Sequence, residues 1–398
     1  MFFKKIKLKI ILFFKIFILA PKIWQKPKKT DILIYDASGS ELLLPYFKGR
    51  DVSILYTRGE FVNIFCLFCI IFNREFWKGK CLSAYLKSYV KATSPILVVT
   101  YIDNSHAFYK ISKAFPSTKT ILVQNGVRDN WLDLIANNTN YHVDYMCVFG
   151  YYVGKYYNKH ISGNIIPIGS FKNNEIEKVK KAKDTDNILF ISQWLNKPKT
   201  KEPFYIDYKG LPIYWEDFFE AETSLLNFLS DWCFVNNKKL VICGREKDND
   251  SLEKDFYAHH LKVCLWEYVP ITSNYSSYKL IDAAEIVVSI DSTLGYESIA
   301  RGKKTAVLSC RGGSFNSEFR KFGWPVDLPN NGPFWTNDLD EIQFKRVMDY
   351  LNVINHDNWE QSRQRFMSGI MDFDPGNTRF VALLEKLLPK SGSQLHAN

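Results

Sequence analysis

The sequence lacks the signals that mark several large classes of protein. Its 398 residues contain no run of about 18 uncharged apolar residues, which argues against a protein that crosses the membrane repeatedly. No Gly-x-Gly-x-x-Gly follows a strand-like run, and neither Gly-x-x-x-x-Gly-Lys-Ser/Thr nor Gly-x-Ser-x-Gly occurs. These absences argue against a dinucleotide oxidoreductase, a P-loop ATPase and an α/β-hydrolase.

Metal-binding and redox patterns are also scarce. The eight cysteines are scattered, mostly in apolar runs, as expected of reduced core residues in a cytoplasmic protein. Cys66 and Cys69 form one Cys-x-x-Cys pair, but apolar residues surround it and no second pair follows. The pairs Asp248–Asp250 and Asp338–Asp340 have a spacing that can bind a metal, and such pairs are common by chance. We therefore predict no metal site and no cofactor.

The composition is that of a folded chain, and the length of 398 residues is that of two domains. Hydrophobic residues make up 46% of it and charged residues 24%, which is enough apolar material for a core. Short apolar, β-rich runs alternate with helical stretches, a pattern typical of a parallel sheet covered on both faces. The predicted strands cover residues 32–35, 52–56, 96–100, 120–123, 145–149 and 165–168, then 187–191, 239–243, 262–265, 286–289 and 305–308.

A polar, lysine-rich stretch separates the two sets of strands, so the sequence predicts an α/β protein with two doubly wound, Rossmann-like domains that face a central cleft. A ligand is expected in that cleft, near the carboxyl ends of the strands. The predicted boundaries are a basic segment 1–29, a first domain 30–171, a linker 172–186, a second domain 187–355, C-terminal helices 356–388 and a tail 389–398.

The net charge of +10 is concentrated at the N-terminus. Residues 1–29 hold nine lysines and no acid, so the rest of the chain is almost balanced and no nucleic-acid partner is expected. Within this segment Phe2, Ile6, Ile10, Phe13 and Phe17 recur at helical spacing, with lysines on the other side, as in an interfacial helix. The alternatives are a secretory signal peptide and a helix packed on the protein's own core.

The segment most informative about chemistry is 284–308. A buried strand ends at Ser289, the turn Asp291-Ser292-Thr293 follows, and a helix opens near Leu294. Amides at a helix start can hold a phosphate. Glu297 lies at the wrong spacing for a capping box, so we expect its carboxylate to face the cleft and accept from ribose hydroxyls. The alternative is that Ser292 or Thr293 only caps the helix.

The run from Ser289 to Lys303, Ser-x-Asp-Ser-Thr-x-Gly-x-Glu-x-x-Ala-x-Gly-Lys, resembles the donor-nucleotide signature of GT-B glycosyltransferases. Together with Gln124-Asn-Gly-Val-Arg128, Gly169-Ser-Phe-Lys-Asn-Asn174 and the run 322–335, it resembles putative O-antigen and surface-carbohydrate biosynthesis proteins. Those are similar to bacterial transferases that use CMP-activated Kdo and related ulosonic acids. The resemblance implies a GT-B fold, a nucleotide-sugar donor and a glycan acceptor.

The loop Gln124–Asp129 follows a strand of the first domain and is expected to project into the same cleft. Gln124 and Asn125 would face the transferred sugar, Gly126 permits a close backbone approach, and Arg128 offers a fork for a carboxylate or phosphate. Asp129 is a candidate base or nucleophile, or else a helix cap. In the Kdo transferases this loop resembles an acidic run, which Gln124 and Asn125 replace here.

Other charged residues also follow predicted strands. Asp36 and Glu60 are candidate bases for the acceptor hydroxyl, with turn or cap roles as the alternative. In the second domain, Gly244-Arg245-Glu246 leaves a strand end beside the expected nucleotide site, where Arg245 can offset phosphate charge or form a solvated ion pair.

The sequence thus predicts a metal-independent glycosyltransferase at the cytoplasmic face of the bacterial inner membrane, attached peripherally to its anionic surface through residues 1–29. Its donor is expected to be a CMP-ulosonic acid such as CMP-Kdo, and its acceptor a lipid-linked, lipopolysaccharide, O-antigen or capsule glycan. The alternatives are a UDP- or GDP-sugar transferase, a polyol-phosphate transferase, a UDP-sugar epimerase, and a non-catalytic binding module for polysaccharide assembly.

Overall fold

The structure, a computed structural model, describes residues 19–78, 80–128, 141–178, 186–198, 202–206, 210–247, 251–315 and 317–388. Most of the predicted amphipathic segment, together with Asp129 and Asp248–Asp250, lies outside these residues. The described chain forms two mainly parallel sheets with helices packed on them, as the sequence predicts.

The strands are numbered in chain order. They are β1 Lys22–Ile23, β2 Ile32–Tyr35, β3 Val52–Leu55, β4 Val62–Asn63, β5 Leu97–Thr100, β6 Lys119–Val123, β7 Tyr141–Val148, β8 Ile161–Pro167, β9 Asn187–Ile191, β10 Tyr205–Ile206, β11 Pro212–Ile213, β12 Lys239–Cys243, β13 Trp266–Val269, β14 Ile286–Ser289, β15 Lys304–Leu308, β16 Asn331–Gly332 and β17 Trp335–Thr336.

The α-helices are numbered in the same way. They are α1 Ser40–Leu43, α2 Ile64–Cys69, α3 Arg74–Trp77, α4 Cys81–Thr93, α5 Ile111–Ala114, α6 Tyr151–Asn158, α7 Phe171–Asn174, α8 Trp215–Val235, α9 Leu252–His260, α10 Ser276–Ala283, α11 Thr293–Ala300, α12 Cys310–Ser314, α13 Glu341–Val353, α14 His356–Met367 and α15 Thr378–Leu387. Short 3-10 helices cover Leu44–Phe47, Ile70–Phe72, Phe108–Lys110, Glu318–Arg320 and Pro375–Asn377.

The first sheet is parallel throughout, in the order β3-β2-β5-β6-β7-β8. All four residues of β2 and of β5 are buried, because helices cover both faces of the sheet. The chain order reverses between β2 and β5, and such a switch point opens a crevice beyond the carboxyl ends of the two strands.

The second sheet has the order β13-β12-β9-β14-β15-β17-β16, with only β16 antiparallel to its neighbour. This is the strand order of a Rossmann domain, with its switch point between β9 and β14. The turn after β14, which the sequence singles out, therefore begins at the place where the fold itself forms a ligand crevice.

One predicted strand, 262–265, is wrong. The edge strand is β13, four residues later, which pairs in parallel with β12. Val263 and Leu265 are more than half exposed, whereas Tyr268 of β13 is buried. The apolar residues of 262–265 therefore belong to the loop before the strand. The prediction followed these apolar residues, but an edge strand can be short and partly polar.

The C-terminal helices divide between the two domains. Trp359 of α14 is buried in the core of the second domain. The chain then returns to the first sheet, where Phe380 and Leu384 of α15 pack in one cluster with Ile32 and Ile34 of β2. No helix among the described residues is long and apolar enough to cross a bilayer.

Candidate functional site

The carboxyl edges of the two sheets meet in the crevice between the domains. The backbone N–H of Val127, in the loop after β6, donates to Thr293 Oγ1 at the start of α11, at 2.9 Å. Ser170, after β8, donates through Oγ to Glu297 of the same helix. The crevice is therefore spanned by contacts between loops of the first domain and helix α11.

The turn Asp291–Thr293 is shaped by two local interactions. Ser292 caps α11, because its Oγ accepts from the N–H of Leu294 at 3.3 Å, so the alternative of a helix cap is correct for this residue. Gly295 lets the helix lie directly on the end of β14, since a Cβ at this position would come within 2.5 Å of Ser289. The hydroxyl of Ser289 is buried and makes no hydrogen bond among the described residues.

Beside this turn lies a buried cluster of charge. Arg311, fully buried after β15, donates to Glu222 at 2.8 Å and to Asp291 at 3.1 Å, with its guanidinium carbon 4.0 Å above the ring of Phe218. Arg320 donates to the other oxygen of Asp291 at 2.9 Å. The cluster thus places two guanidinium groups at the end of β14, where a phosphate would be attracted.

The two carboxyls of this cluster differ electrostatically. Burial raises the pKa of Glu222, and the attraction of Arg311 offsets this only in part. Burial also acts to raise the pKa of Asp291, but attraction by Arg311 and Arg320 outweighs it and the pKa is lowered. Asp291 is therefore an anion at neutral pH that holds both arginines in place.

The loop after β12 forms another wall of the crevice. The buried carboxylate of Glu253 accepts from the backbone N–H groups of Arg245, at 3.0 Å, and Glu246, at 2.8 Å. The guanidinium of Arg245 donates to the carbonyl of residue 193 at 3.1 Å. Gly244 lies against Tyr268, because a Cβ there would come within 2.5 Å of that ring. Arg245 is exposed beside the switch point, where the sequence places it.

Glu297 is not exposed to the cleft, contrary to our expectation. Its carboxylate accepts from Ser170 and, at 2.8 Å, from Tyr278 of α10. Burial raises its pKa, and these two hydroxyl donors only partly offset the effect. One turn later Arg301 donates to the side chain of Asn173 at 3.1 Å. The motif Gly169–Asn174 is therefore a junction between the domains, and Glu297 is one of its acceptors.

Arg128 is likewise engaged within the protein. Its Nε donates to Asp103 at 2.9 Å, and its Nη2 donates to both Asp103 and Asn125. Asp103, fully buried after β5, also accepts from Tyr157 at 2.7 Å. Burial acts to lower the pKa of Arg128, but Asp103 outweighs it and the pKa is raised. The expected fork for a ligand is therefore filled by the protein's own carboxylate.

The rest of the loop 124–128 is held by its own side chains. Gln124, which is buried, donates to the carbonyl of Gly126 at 3.0 Å and accepts from the N–H of Phe149 at 2.9 Å. A methyl group on Gly126 would lie 3.8 Å from Thr293 Oγ1, an ordinary contact, so close approach to α11 does not require glycine here. Asp129 lies outside the described residues and its role stays a prediction.

Asp36 and Glu60 both organise the loop that carries Arg58. Asp36 accepts from Ser38 N–H at 2.9 Å, from Arg58 Nε at 3.1 Å and from the hydroxyl of Thr57. Glu60 accepts from the backbone N–H of Arg58 at 3.0 Å. These are turn contacts, the alternative that the sequence left open, and neither carboxylate lies unpaired in the crevice.

A cavity of about 20 Å³ remains between the loop 124–128 and the second domain. Tyr156, Tyr296 and Trp324 are among the side chains that line it. A small-molecule pocket commonly has several hundred Å³. A sugar therefore cannot enter this space unless the two domains separate.

The described ranges contain no group of three or more His, Cys, Asp or Glu side chains able to hold a metal ion. Asp340 caps α13 by accepting from Ile342 N–H at 2.9 Å. Asp338 accepts from the side chain of Asn331 at 2.8 Å. Both members of this acidic pair therefore have local structural roles.

Sequence reasoning missed three residues that shape the site: Asp103, Arg311 and Arg320. Asp103 and Arg311 each come three residues after a buried strand, a position similar to that which drew attention to Asp36 and Arg245. Arg320 lies in a short 3-10 helix, and its spacing from Asp291 gives no sequence signal.

Comparison with known proteins identifies a matching family and several solved structures of similar fold. A family model described as a putative O-antigen biosynthesis protein matches residues 121–388, well over half of the chain. No curated protein sequence matches it. Three solved structures resemble it in fold, all at 10% identity. They are a putative UDP-N-acetylglucosamine 2-epimerase from Listeria monocytogenes (TM-score 0.53, 90% of this chain and 96% of that one), S. aureus MnaA with UDP (0.51, 91% and 97%), and UDP-GlcNAc 2-epimerase from Neisseria meningitidis bound to UDP-GlcNAc (0.50, 89% and 99%). This likeness establishes the two-domain, GT-B-like fold.

Proposed function

The chain belongs to the family described as putative O-antigen biosynthesis proteins, and on this premise we propose that it is a glycosyltransferase that moves a sugar from a nucleotide donor to a surface glycan. The donor nucleotide would bind at the switch point between β9 and β14. Its phosphate would rest on the turn Asp291–Thr293, and the loop 124–129 would face the transferred sugar from the other domain.

The observation that carries this proposal is the pair of arginines held at the end of β14. Arg320 is partly exposed and bridges to Asp291, whose side chain is mostly buried, at 11% exposed. A phosphate competing with Asp291 for this guanidinium would gain charge-assisted hydrogen bonds and the favourable dipole at the start of α11. The same groups would stabilise the phosphate as it leaves the sugar, which is the electrostatic contribution that glycosyl transfer needs.

We expect donor binding to open the crevice. The bonds Val127–Thr293 and Ser170–Glu297 close it, and the cavity beside them is too small for a sugar. Separation of the domains would free Thr293 Oγ1 and the oxygen of Glu297 that accepts from Ser170, while Tyr278 keeps the other oxygen; the freed oxygen could then meet the ribose. Closure over the bound donor would in turn exclude water from the reacting centre.

Transfer also needs a base for the acceptor hydroxyl. Asp36 and Glu60 are engaged in turn contacts, which favours Asp129 among the three candidate carboxylates. Asp129→Asn is expected to abolish product formation while nucleotide binding stays within about threefold, since the carboxylate acts on the acceptor and not on the phosphate. Asp36→Asn is the comparison, because its loss would instead disturb the Arg58 loop.

The finer assignment concerns donor and location. We propose a CMP-activated ulosonic acid as donor, a lipid-linked or lipopolysaccharide glycan as acceptor, and attachment at the cytoplasmic membrane face through residues 1–29. The run 289–303 supports a nucleotide-sugar donor, its combination with the runs 124–128, 169–174 and 322–335 supports the CMP-ulosonic acid, and nine lysines without an acid support the attachment. A UDP-sugar 2-epimerase is the second candidate, because proteins of that description have the same two-domain fold.

Two assays separate these functions. Calorimetric titration with CMP, UMP and GMP ranks the bases, and CMP that bound no better than the others would remove the ulosonic-acid donor. Incubation with CMP-Kdo and with UDP-GlcNAc, followed by analysis of nucleotide release and sugar products, separates transfer from epimerisation. Donor binding without release or product would instead indicate a non-catalytic binding module.

A further inference from the structure

An exposed apolar surface lies on the first domain, far along the chain from the residues of the crevice. It is built by α2, the following 3-10 helix, α3 and the start of α4. Its large side chains have exposed fractions from 46 to 91%, and we call them the docking face: Phe68, Ile71, Phe72, Trp77 and Leu82. Large apolar side chains clustered in this way mark an interaction surface.

The docking face is fixed by the fold beneath it. Cys66 and Ile70, on the opposite side of the same elements, are buried in the core of the first domain. Asn63 caps α2 by accepting from the N–H of Cys66 at 3.0 Å. The opposite face of these helical elements packs against the core, and the aromatic side chains of the docking face therefore point outward.

Trp77 is suited to an apolar medium. Its indole N–H donates to the carbonyl of Ile71 at 2.8 Å, so the ring carries no unsatisfied donor. Transfer of this side chain from water into an apolar medium would therefore leave no polar group without a hydrogen bond. Phe72, 91% exposed, has no polar atom in its side chain at all.

Aromatic and cationic side chains line a groove of about 800 Å³ that adjoins the docking face. Phe65 and Phe115 contribute apolar walls, and Lys26, Arg74 and Lys91 contribute cations, as does Lys87, which pairs with Glu75. None of the described residues that line the groove is acidic. Apolar walls with a cationic rim match a lipid, whose anionic head group lies directly above its chains.

The N-terminal segment emerges beside this face. Strand β1 pairs with β4, immediately before α2, and Lys26 Nζ lies 5.4 Å above the ring of Phe65. Leu19 and Trp24 are 80% and 73% exposed. The 18 residues that precede Leu19 contain five lysines and no acid. The most basic part of the chain is thus continuous with the docking face.

We propose that the docking face binds the surface of an anionic lipid bilayer, with Phe72 and Trp77 in the interface and the groove cations on lipid phosphates. This surface lies in the folded domain and, apart from Lys26, is built from residues outside 1–29. It would give the protein a fixed orientation on the membrane, which a lysine-rich segment alone does not provide. The proposal is independent of the donor nucleotide.

The test measures partition of the full chain onto phosphatidylcholine vesicles with and without phosphatidylglycerol, in the absence of nucleotide. Phe72→Ser/Trp77→Ser is expected to weaken partition onto the anionic vesicles at least tenfold, because two large apolar groups no longer leave water. The matched control is Phe234→Ser/Val235→Ser, which changes two residues of α8 that are 62% and 79% exposed on the other domain, and is expected to partition as the unaltered protein does. Residues 1–29 are unaltered in both of these variants, so a difference in partition between the two does not come from that segment.

A second variant tests the groove independently. Arg74→Gln/Lys91→Gln, which leaves residues 1–29 unaltered, is expected to lose much of the preference for anionic over neutral vesicles, and it keeps the proposal testable if the aromatic variant fails to fold. Unchanged partition of a folded Phe72→Ser/Trp77→Ser variant would overturn the proposal. So would lipid-independent self-association that this variant abolishes, because the face would then be an interface between two copies of the chain.

Discussion

Replacement of Arg311 by methionine tests the electrostatic construction of the crevice. The side chain of Arg311 is fully buried. It donates hydrogen bonds to Glu222 at 2.8 Å, to Asp291 at 3.1 Å and to the side chain of Gln193 at 2.9 Å. Methionine keeps the packing on Phe218 but leaves the fully buried carboxylate of Glu222 without a cation. Removing one partner of such a buried pair costs about 3–5 kcal/mol, and we expect Arg311→Met to lower the free energy of unfolding by that amount at neutral pH.

The pH dependence gives the sign of the effect. Burial already raises the pKa of Glu222, and loss of Arg311 raises it further, so the folded variant binds a proton that the unfolded chain releases. Stability then increases as the pH falls through the folded-state pKa of Glu222. The free energy of unfolding of Arg311→Met should therefore approach that of the unaltered protein as the pH is lowered from neutral toward the ordinary pKa of glutamate.

Urea unfolding followed by tryptophan fluorescence measures both effects. Glu222→Gln/Arg311→Met removes the stranded charge and should recover more than half of the loss. Lys345→Met is the matched control: Lys345 pairs with Asp349 on the surface of α13, and its loss should change stability by no more than about 0.5 kcal/mol. A loss below about 1 kcal/mol for Arg311→Met, or no recovery in the double variant, would refute the reasoning.

Three further predictions concern the turn and the donor. Arg320→Ala should weaken binding of the preferred nucleotide at least tenfold in calorimetric titration, and unchanged affinity would remove Arg320 from the phosphate site. Gly295→Ala should lower the free energy of unfolding by about 1–3 kcal/mol, since its Cβ would meet Ser289, and denaturation of Gly295→Ala/Ser289→Gly should show partial recovery. Thr293→Val removes the acceptor for Val127 N–H, so solution X-ray scattering should show a more open chain, and an unchanged scattering profile would contradict a closing role for this bond.

Much of the architecture could be predicted because the central strands are buried on both faces. Such strands are continuous apolar runs, and β2, β9, β12 and β14 occupy the predicted residues. The edge strand β13 was misplaced because an edge needs fewer apolar residues. The position of the turn at the end of β14 could be predicted for a similar reason, because hydroxyl residues that directly follow a buried strand mark the end of the strand and the start of the next helix.

The partners of the charged residues could not be predicted. Glu222 and Arg311 lie 89 positions apart, and Ser170 and Glu297 lie 127 positions apart, so only the packing of the domains brings them together. Local spacing correctly excluded a capping box for Glu297. It could not reveal that Ser170 and Tyr278 occupy both carboxylate oxygens.

The most direct test of the account is a crystal structure of the protein with the nucleotide that ranks first in the titration. We predict that its phosphate lies within hydrogen-bond distance of the turn Asp291–Thr293 and of Arg320, with the bond between Val127 and Thr293 broken. A phosphate bound elsewhere, with the bridge between Asp291 and Arg320 intact, would contradict the proposed donor site and the function that rests on it.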